Sequence, residues 1–164
     1  MYQTNYTVDK EKNAVTAERT FAAQLPLVWR AWTESTILDQ WWAPKPWKAE
    51  TKNMDFRPGG IWLYAMKGPN GEVHWSRVDF VDVVKEQLFT SSSVFADENG
   101  APVPGMNAGN WRVEFKGDGN ITHVTTTLTF ATAEDMERLI AMGFKEGFAM
   151  GHGNLDEYLQ NYPA

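Results

Sequence analysis

Residues 132–160 constrain the fold more than any other stretch of the chain. Met136, Ile140, Phe144, Phe148, Leu155 and Leu159 recur at steps close to 3.6 residues and mark one apolar stripe of a long helix. Lys145, Glu146, His152 and Asp156 interrupt any reading of this segment as a membrane span. A helix with one apolar stripe must bury it against another layer. Gly143, Gly147 and Gly151 fall on or beside the stripe at four-residue spacing, and a glycine inside a helix costs about 1 kcal/mol relative to alanine. Small residues there let the helix approach something bulky, either the indoles of a sheet or a bound molecule. Thr132-Ala133-Glu134-Asp135 resembles a capping box, with the Thr hydroxyl taking a free N–H and Asp135 reaching back.

Almost everything before this helix reads as strands. Residues 14–21 alternate Val15, Ala17, Arg19 and Phe21 against Thr16, Glu18 and Thr20, which predicts a first strand. Residues 1–13 are polar and read as a loose tail or an extra edge strand, leaving 14–164 as one domain. Pro26 suits a first helical turn, because its missing N–H would be unpaired there anyway. Leu27, Val28, Ala31 and Trp32 continue at helical spacing, and a second short helix runs from 34 to 42, stopped by Pro44 and Pro46. Strands follow over 47–55, 61–67, 74–84, 87–95, 109–116 and 121–131. The apolar parity of 74–84 changes between Val78/Phe80 and Val81/Val83, which indicates a bulge. Residues 96–108 read as a long loop.

Composition narrows the function classes. The chain has 164 residues, no cysteine and a formal net charge of -6. A domain of this length buries roughly 70% of its unfolded surface without disulfide staples. The lack of cysteine excludes a disulfide scaffold, a thiolate metal site and a cysteine nucleophile. The acidic balance argues against non-specific nucleic-acid binding. No apolar run approaches the ~20 residues of a membrane helix, and the amino terminus lacks the basic and apolar regions of a signal peptide, so the expected location is cytoplasmic. Eight Trp, nine Phe and five Tyr need either a thick core or the wall of a cavity.

Five motifs, in order over residues 14–160, resemble a known family. Residues 21–33 (FAAQLPLVWRAWT) match its strand, proline and "V-W-x-A-W-T"-like helix. Trp41-Trp42-Ala43-Pro44 resembles "W-W-G-P", with Ala in place of Gly, and Asp55-Phe56-Arg57-Pro58-Gly59-Gly60 resembles a "D-x-R-P-G-G" turn. Residues 125–130 and 143–148 resemble its closing strand and helix, where Trp is commoner than the Phe at position 144. The chain is thereby similar to the C-terminal domain of the ninety-kilodalton heat-shock-protein ATPase activator, within the START-like (SRPBCC) helix-grip superfamily. The resemblance implies an α+β fold, a curved antiparallel sheet of about seven strands in the order β-α-α-β6-α, wrapped around a long C-terminal helix. It also implies a cavity between sheet and helix, but no shared catalytic residue.

Period-two alternation groups the residues that would line such a cavity. Trp62, Tyr64 and Met66 form one set, Trp75, Arg77 and Asp79 another, and Trp111, Val113 and Phe115 a third. Val124, Thr126, Leu128 and Phe130 form an inward face, and Phe144, Phe148 and His152 close the cavity from the helix. The candidate ligand-binding residues are therefore Trp62, Tyr64, Met66, Trp75, Arg77, Trp111, Phe130, Phe144, Phe148 and His152. Alternation alone does not say which face of the early strands points inward. An inward Arg77 and Asp79 would orient a ligand, whereas an outward pair is an ordinary solvated one worth about 0–1 kcal/mol. His74, His123 and His152 lack close metal-ligand spacing, and the chain has no phosphate loop, dinucleotide turn, G-x-S-x-G or H-E-x-x-H motif, so no metal, cofactor or catalytic set is assigned. The expected function is binding of a small hydrophobic or aromatic ligand. The alternatives are a chaperone-type protein–protein module and, third, an enzyme of cyclase or hydrolase type. A homodimer contact through 96–108 and the first two helices is expected on base rates alone.

Overall fold

The computed structural model describes residues 2–162. Eight strands form one antiparallel sheet: β1 (Asn5–Asp9), β2 (Ala14–Phe21), β3 (Lys48–Met54), β4 (Ile61–Lys67), β5 (Val73–Val84), β6 (Leu88–Ala96), β7 (Pro102–Asp118) and β8 (Ile121–Thr129). Their spatial order is β1-β2-β8-β7-β6-β5-β4-β3. Helices α1 (Leu25–Thr33) and α2 (Ser35–Trp41) leave the sheet after β2, and α3 (Ala133–Ala141) and α4 (Phe144–Gln160) follow β8.

The polar amino-terminal segment contains β1, which pairs with β2 from Asn5↔Glu18 to Asp9↔Ala14 and adds an eighth strand at the sheet edge. The bulge in β5 lies between Phe80 and Val83, where the parity change indicates it. Residues 96–108 are not a long loop. β7 begins at Pro102 and pairs with β6, with register shifts between Ser92 and Ala96. Its prolines and glycines hide an edge-like half-strand, because bulged pairing tolerates residues that regular ladders exclude.

The predicted single terminal helix is two. Gly143, at φ 93°, ends α3 and starts α4. The apolar stripe continues in phase across the break, which is why periodicity alone reads it as one helix. A glycine in the left-handed region just past a helix is a stop signal. The Thr132 cap forms, since Asp135 N–H donates to Thr132 Oγ1 at 3.1 Å. Asp135 does not reach back, because its carboxylate takes Arg138 Nη1 at 3.1 Å instead.

The other two helix glycines meet the α2 end of the molecule. A Cβ on Gly151 would lie 3.4 Å from the carbonyl oxygens of Trp41 and Trp42, and one on Gly147 would lie 3.6 Å from Pro44 Cγ. Asn154 Nδ2 donates to Ala43 O at 3.0 Å, fastening the same approach. The small residues thus admit the backbone that leaves α2.

The core fills one end of the curved sheet. Trp29 of α1 meets Phe56, Phe89 and Phe115 edge to face, with ring centroids 5.0–6.2 Å apart. Trp32 carries the cluster on to Trp41 and Phe148. A second cluster of Val15, Leu128, Phe130 and Met136 closes the β2–β8 side under α3. The turn before β4 holds Gly59 N–H to Phe80 O at 2.9 Å. There a Cβ on Gly60 would fall 2.0 Å from Asp55 O, so only glycine fits.

Candidate functional site

A hollow of about 720 Å³ lies between the sheet and the α3–α4 layer. Trp42, just past α2, forms part of its wall. Trp42 Nε1 donates to Tyr64 Oη at 2.9 Å, and its ring lies 5.5 Å from Trp62 and 5.9 Å from Trp111, Trp32 and Phe148. Trp62 stacks on Tyr64 at 4.1 Å and donates Nε1–H to Thr51 Oγ1 at 3.0 Å. Thr51 in turn donates to Asp39 of α2 at 2.6 Å, which fixes α2 against β3. Trp111 donates to Ala108 O at 2.9 Å, and Phe144 and Phe148 stack on each other at 5.2 Å beside it. These three wall indoles therefore have their N–H groups occupied by protein, and what they offer the hollow is carbon.

Polar groups are few. Ser76 of β5 and Ser91 and Ser93 of β6 line the hollow with Tyr64. Among the described lining residues, Tyr64 and His74 carry the ionisable side chains. Burial pushes the Tyr64 phenol up, against the opposing hydrogen bonds from Trp42 and Ser76, so it stays protonated. His74 stands at the exposed rim, stacked on Trp47 at 5.6 Å.

The structure brings Trp62, Tyr64, Met66, Trp111, Phe144 and Phe148 together on the hollow. Trp75 borders it at the rim beside His74, with Lys52 Nζ 5.8 Å from its ring centroid. The other three candidates lie elsewhere. Arg77 is on the outer face of β5, where it pairs with Asp79 at 2.9 Å and donates to Gly100 O at 3.1 Å. The inward positions of that strand are Ser76, Val78 and Phe80, so alternation places Arg77 on the other side. Phe130 faces inward but is consumed by the Leu128–Met136 cluster. His152 is 1% exposed and sits behind Phe148, ring centroids 4.3 Å apart, against Phe21 and Trp32. Its Nδ1 is 2.7 Å from Thr4 Oγ1. Burial, helped by the Arg19 charge, lowers its pKa to about 3, so the ring is neutral.

Sequence reasoning misses Trp42, the serines, and Val78 and Phe80 as lining residues. The signal for the last two is the apolar face of β5 opposite Arg77. Trp42 stands in a quoted motif, but nothing in its spacing tells a wall residue from a core one. Among the described residues, no group of three or more His, Asp or Glu side chains is placed to hold a metal ion. No described helix is long and apolar enough to cross a membrane.

An antiparallel sheet curled on a C-terminal helix, with a hollow left between them, defines the helix-grip class of α+β proteins. The family model described as activator of Hsp90 ATPase homolog 1-like protein matches residues 22–160, and the chain belongs to that family. Among solved structures, protein Ms6760 of Mycobacterium smegmatis is similar, with 26% identity, 99% of each chain covered and a TM-score of 0.89. A protein of Arthrobacter aurescens shares 29% identity over 98% of this chain and 92% of its own, with a TM-score of 0.90. Protein NE0264 of Nitrosomonas europaea shares 27% identity over 91% and 95%, with a TM-score of 0.79. No curated protein matches the chain.

Proposed function

We propose that this chain is a cytoplasmic binding protein that holds one small apolar or aromatic molecule between the sheet and α4. The observation that carries the reading is the open hollow of about 720 Å³ with carbon-faced walls. Small-molecule sites run from roughly 300 to 1,000 Å³ and combine apolar walls with a few placed polar groups.

The test uses N-phenyl-1-naphthylamine, a neutral probe that emits weakly in water. Saturable binding of one probe per chain is expected, with energy transfer from the wall tryptophans. Ser93→Phe should project a ring into the hollow and weaken binding at least about tenfold, equivalent to about 1.4 kcal/mol, while the cooperative thermal transition persists. Absence of saturable binding, or undiminished binding to a folded Ser93→Phe protein, overturns the reading.

The family description supports a second reading, a protein–protein module that stimulates a chaperone ATPase. Stimulation of ATP hydrolysis by a purified ninety-kilodalton chaperone, undiminished in Ser93→Phe, would favour it. The enzyme reading has less support. Tyr64 spends its acceptor on Trp42, His74 lies at the exposed rim, and His152 does not line the hollow.

A further inference from the structure

We propose that the occupant is an uncharged, flat aromatic molecule bearing a carbonyl or hydroxyl oxygen, and that this oxygen seats on a hydroxyl wall made by Tyr64, Ser76, Ser91 and Ser93. The inference rests on the binding reading above and names the ligand class it selects.

The strand registers build the wall. Tyr64 of β4 is the direct partner of Ser76 on β5. Ser93 and Ser91 of β6 face Val78 and Phe80 of β5. All four hydroxyl-bearing residues line the hollow from three adjacent strands, on the concave side. Ser91 is only 5% exposed, and both it and Ser93 line the hollow. Tyr64 Oη already accepts from Trp42 Nε1, which leaves its own proton to donate.

Hydroxyls on such a wall lose water when an apolar occupant covers them, a cost that an occupant supplying an acceptor recovers. The rest of the hollow fixes the shape and charge of the molecule. Trp42, Trp62, Trp111 and Phe148 present ring faces and edges suited to a planar guest. No Lys, Arg, Asp or Glu is among the described lining residues, so nothing there neutralises a charged guest. Burying an unpaired charge in such surroundings is unfavourable by far more than burying a hydrogen-bonded carbonyl.

Three fluorescent naphthalenes separate the elements of this inference. They are N-phenyl-1-naphthylamine, which lacks an oxygen, 6-propionyl-2-dimethylaminonaphthalene, which carries a ketone, and 1-anilinonaphthalene-8-sulfonate, which is anionic. The ketone is expected to bind tightest, with the emission shift that marks hydrogen bonding to its carbonyl, and the sulfonate weakest. Ser91→Ala combined with Ser93→Ala should weaken the ketone about five- to tenfold, as expected for lost hydrogen bonds, and leave N-phenyl-1-naphthylamine within about twofold. If none of the probes binds, the binding function itself fails. If the oxygen-free probe binds but the ketone is no tighter, or the serine variants move both alike, the binding function stands and the hydroxyl wall is overturned. Tightest binding of the sulfonate overturns the requirement for an uncharged guest.

Discussion

His152 and Arg19 show what single residues contribute away from the hollow. The His152 ring is neutral when folded, with its pKa lowered to about 3 by burial first and the Arg19 charge second. Unfolded, it titrates near 6.5. Between these values the unfolded chain binds the extra proton, so the stability from this site is complete above pH ~6.5 and is lost as pH falls toward 3. Wild type is expected to lose about 2 kcal/mol more than His152→Phe between pH 7 and pH 5, read by urea unfolding at each pH. Parallel losses in the two proteins would refute this assignment. Arg19, whose side chain is 4% exposed, pairs with Asp156, which is 27% exposed. Asp156→Ala leaves a buried guanidinium short of its partner and should cost roughly 3 kcal/mol in the same assay. The inward position of Arg19 is legible in the alternation of residues 15–21. Its partner is not, because Asp156 is brought to it only by the docking of α4 on the sheet.

At the scale of elements, the α4 glycines divide by what they touch. Gly153 faces open space, whereas a Cβ on Gly151 would meet the Trp41 and Trp42 carbonyls at 3.4 Å. Gly153→Ala should therefore recover most of the helix propensity and stabilise by about 0.5–1 kcal/mol. Gly151→Val should push the end of α2 outward and destabilise by about 1–3 kcal/mol. Thermal unfolding of the pair checks both signs. Gly60→Ala would drive a Cβ to 2.0 Å from Asp55 O and is expected to cost more than about 3 kcal/mol, or to abolish folding. The quoted turn motif thus works as backbone geometry. Strand order of chain, both early helices and the β5 bulge are legible because alternation and proline act locally. The break at Gly143 and the early start of β7 are not, since both turn on whether a glycine or proline sits inside an element or at its boundary. The face of Arg77 is not legible for a related reason, as alternation groups the residues of a strand without saying which face the helices cover.

For the molecule as a whole, the division of the concave face matters most. α1 and its Trp29 fill one end with aromatic core, while the other end keeps a hollow under α3 and the start of α4. The sequence supplies the rings for both ends without saying how they are shared. Seven of the ten candidate residues line the hollow together with Trp42, Trp75 at its rim, and the aromatic surplus serves core and wall alike. Emptying the wall should be tolerated better than emptying the core. Phe144→Ala should cost less stability than Trp29→Ala, for which about 3–5 kcal/mol is expected, as measured by chemical denaturation. The most direct test of the central claim is a crystal structure of the protein with N-phenyl-1-naphthylamine. The account predicts probe density in the hollow, against Trp42 and Trp111, with the walls in place and Phe148 behind it. Density for the probe only on the outer surface, with the space between sheet and α4 closed by side chains, would contradict it.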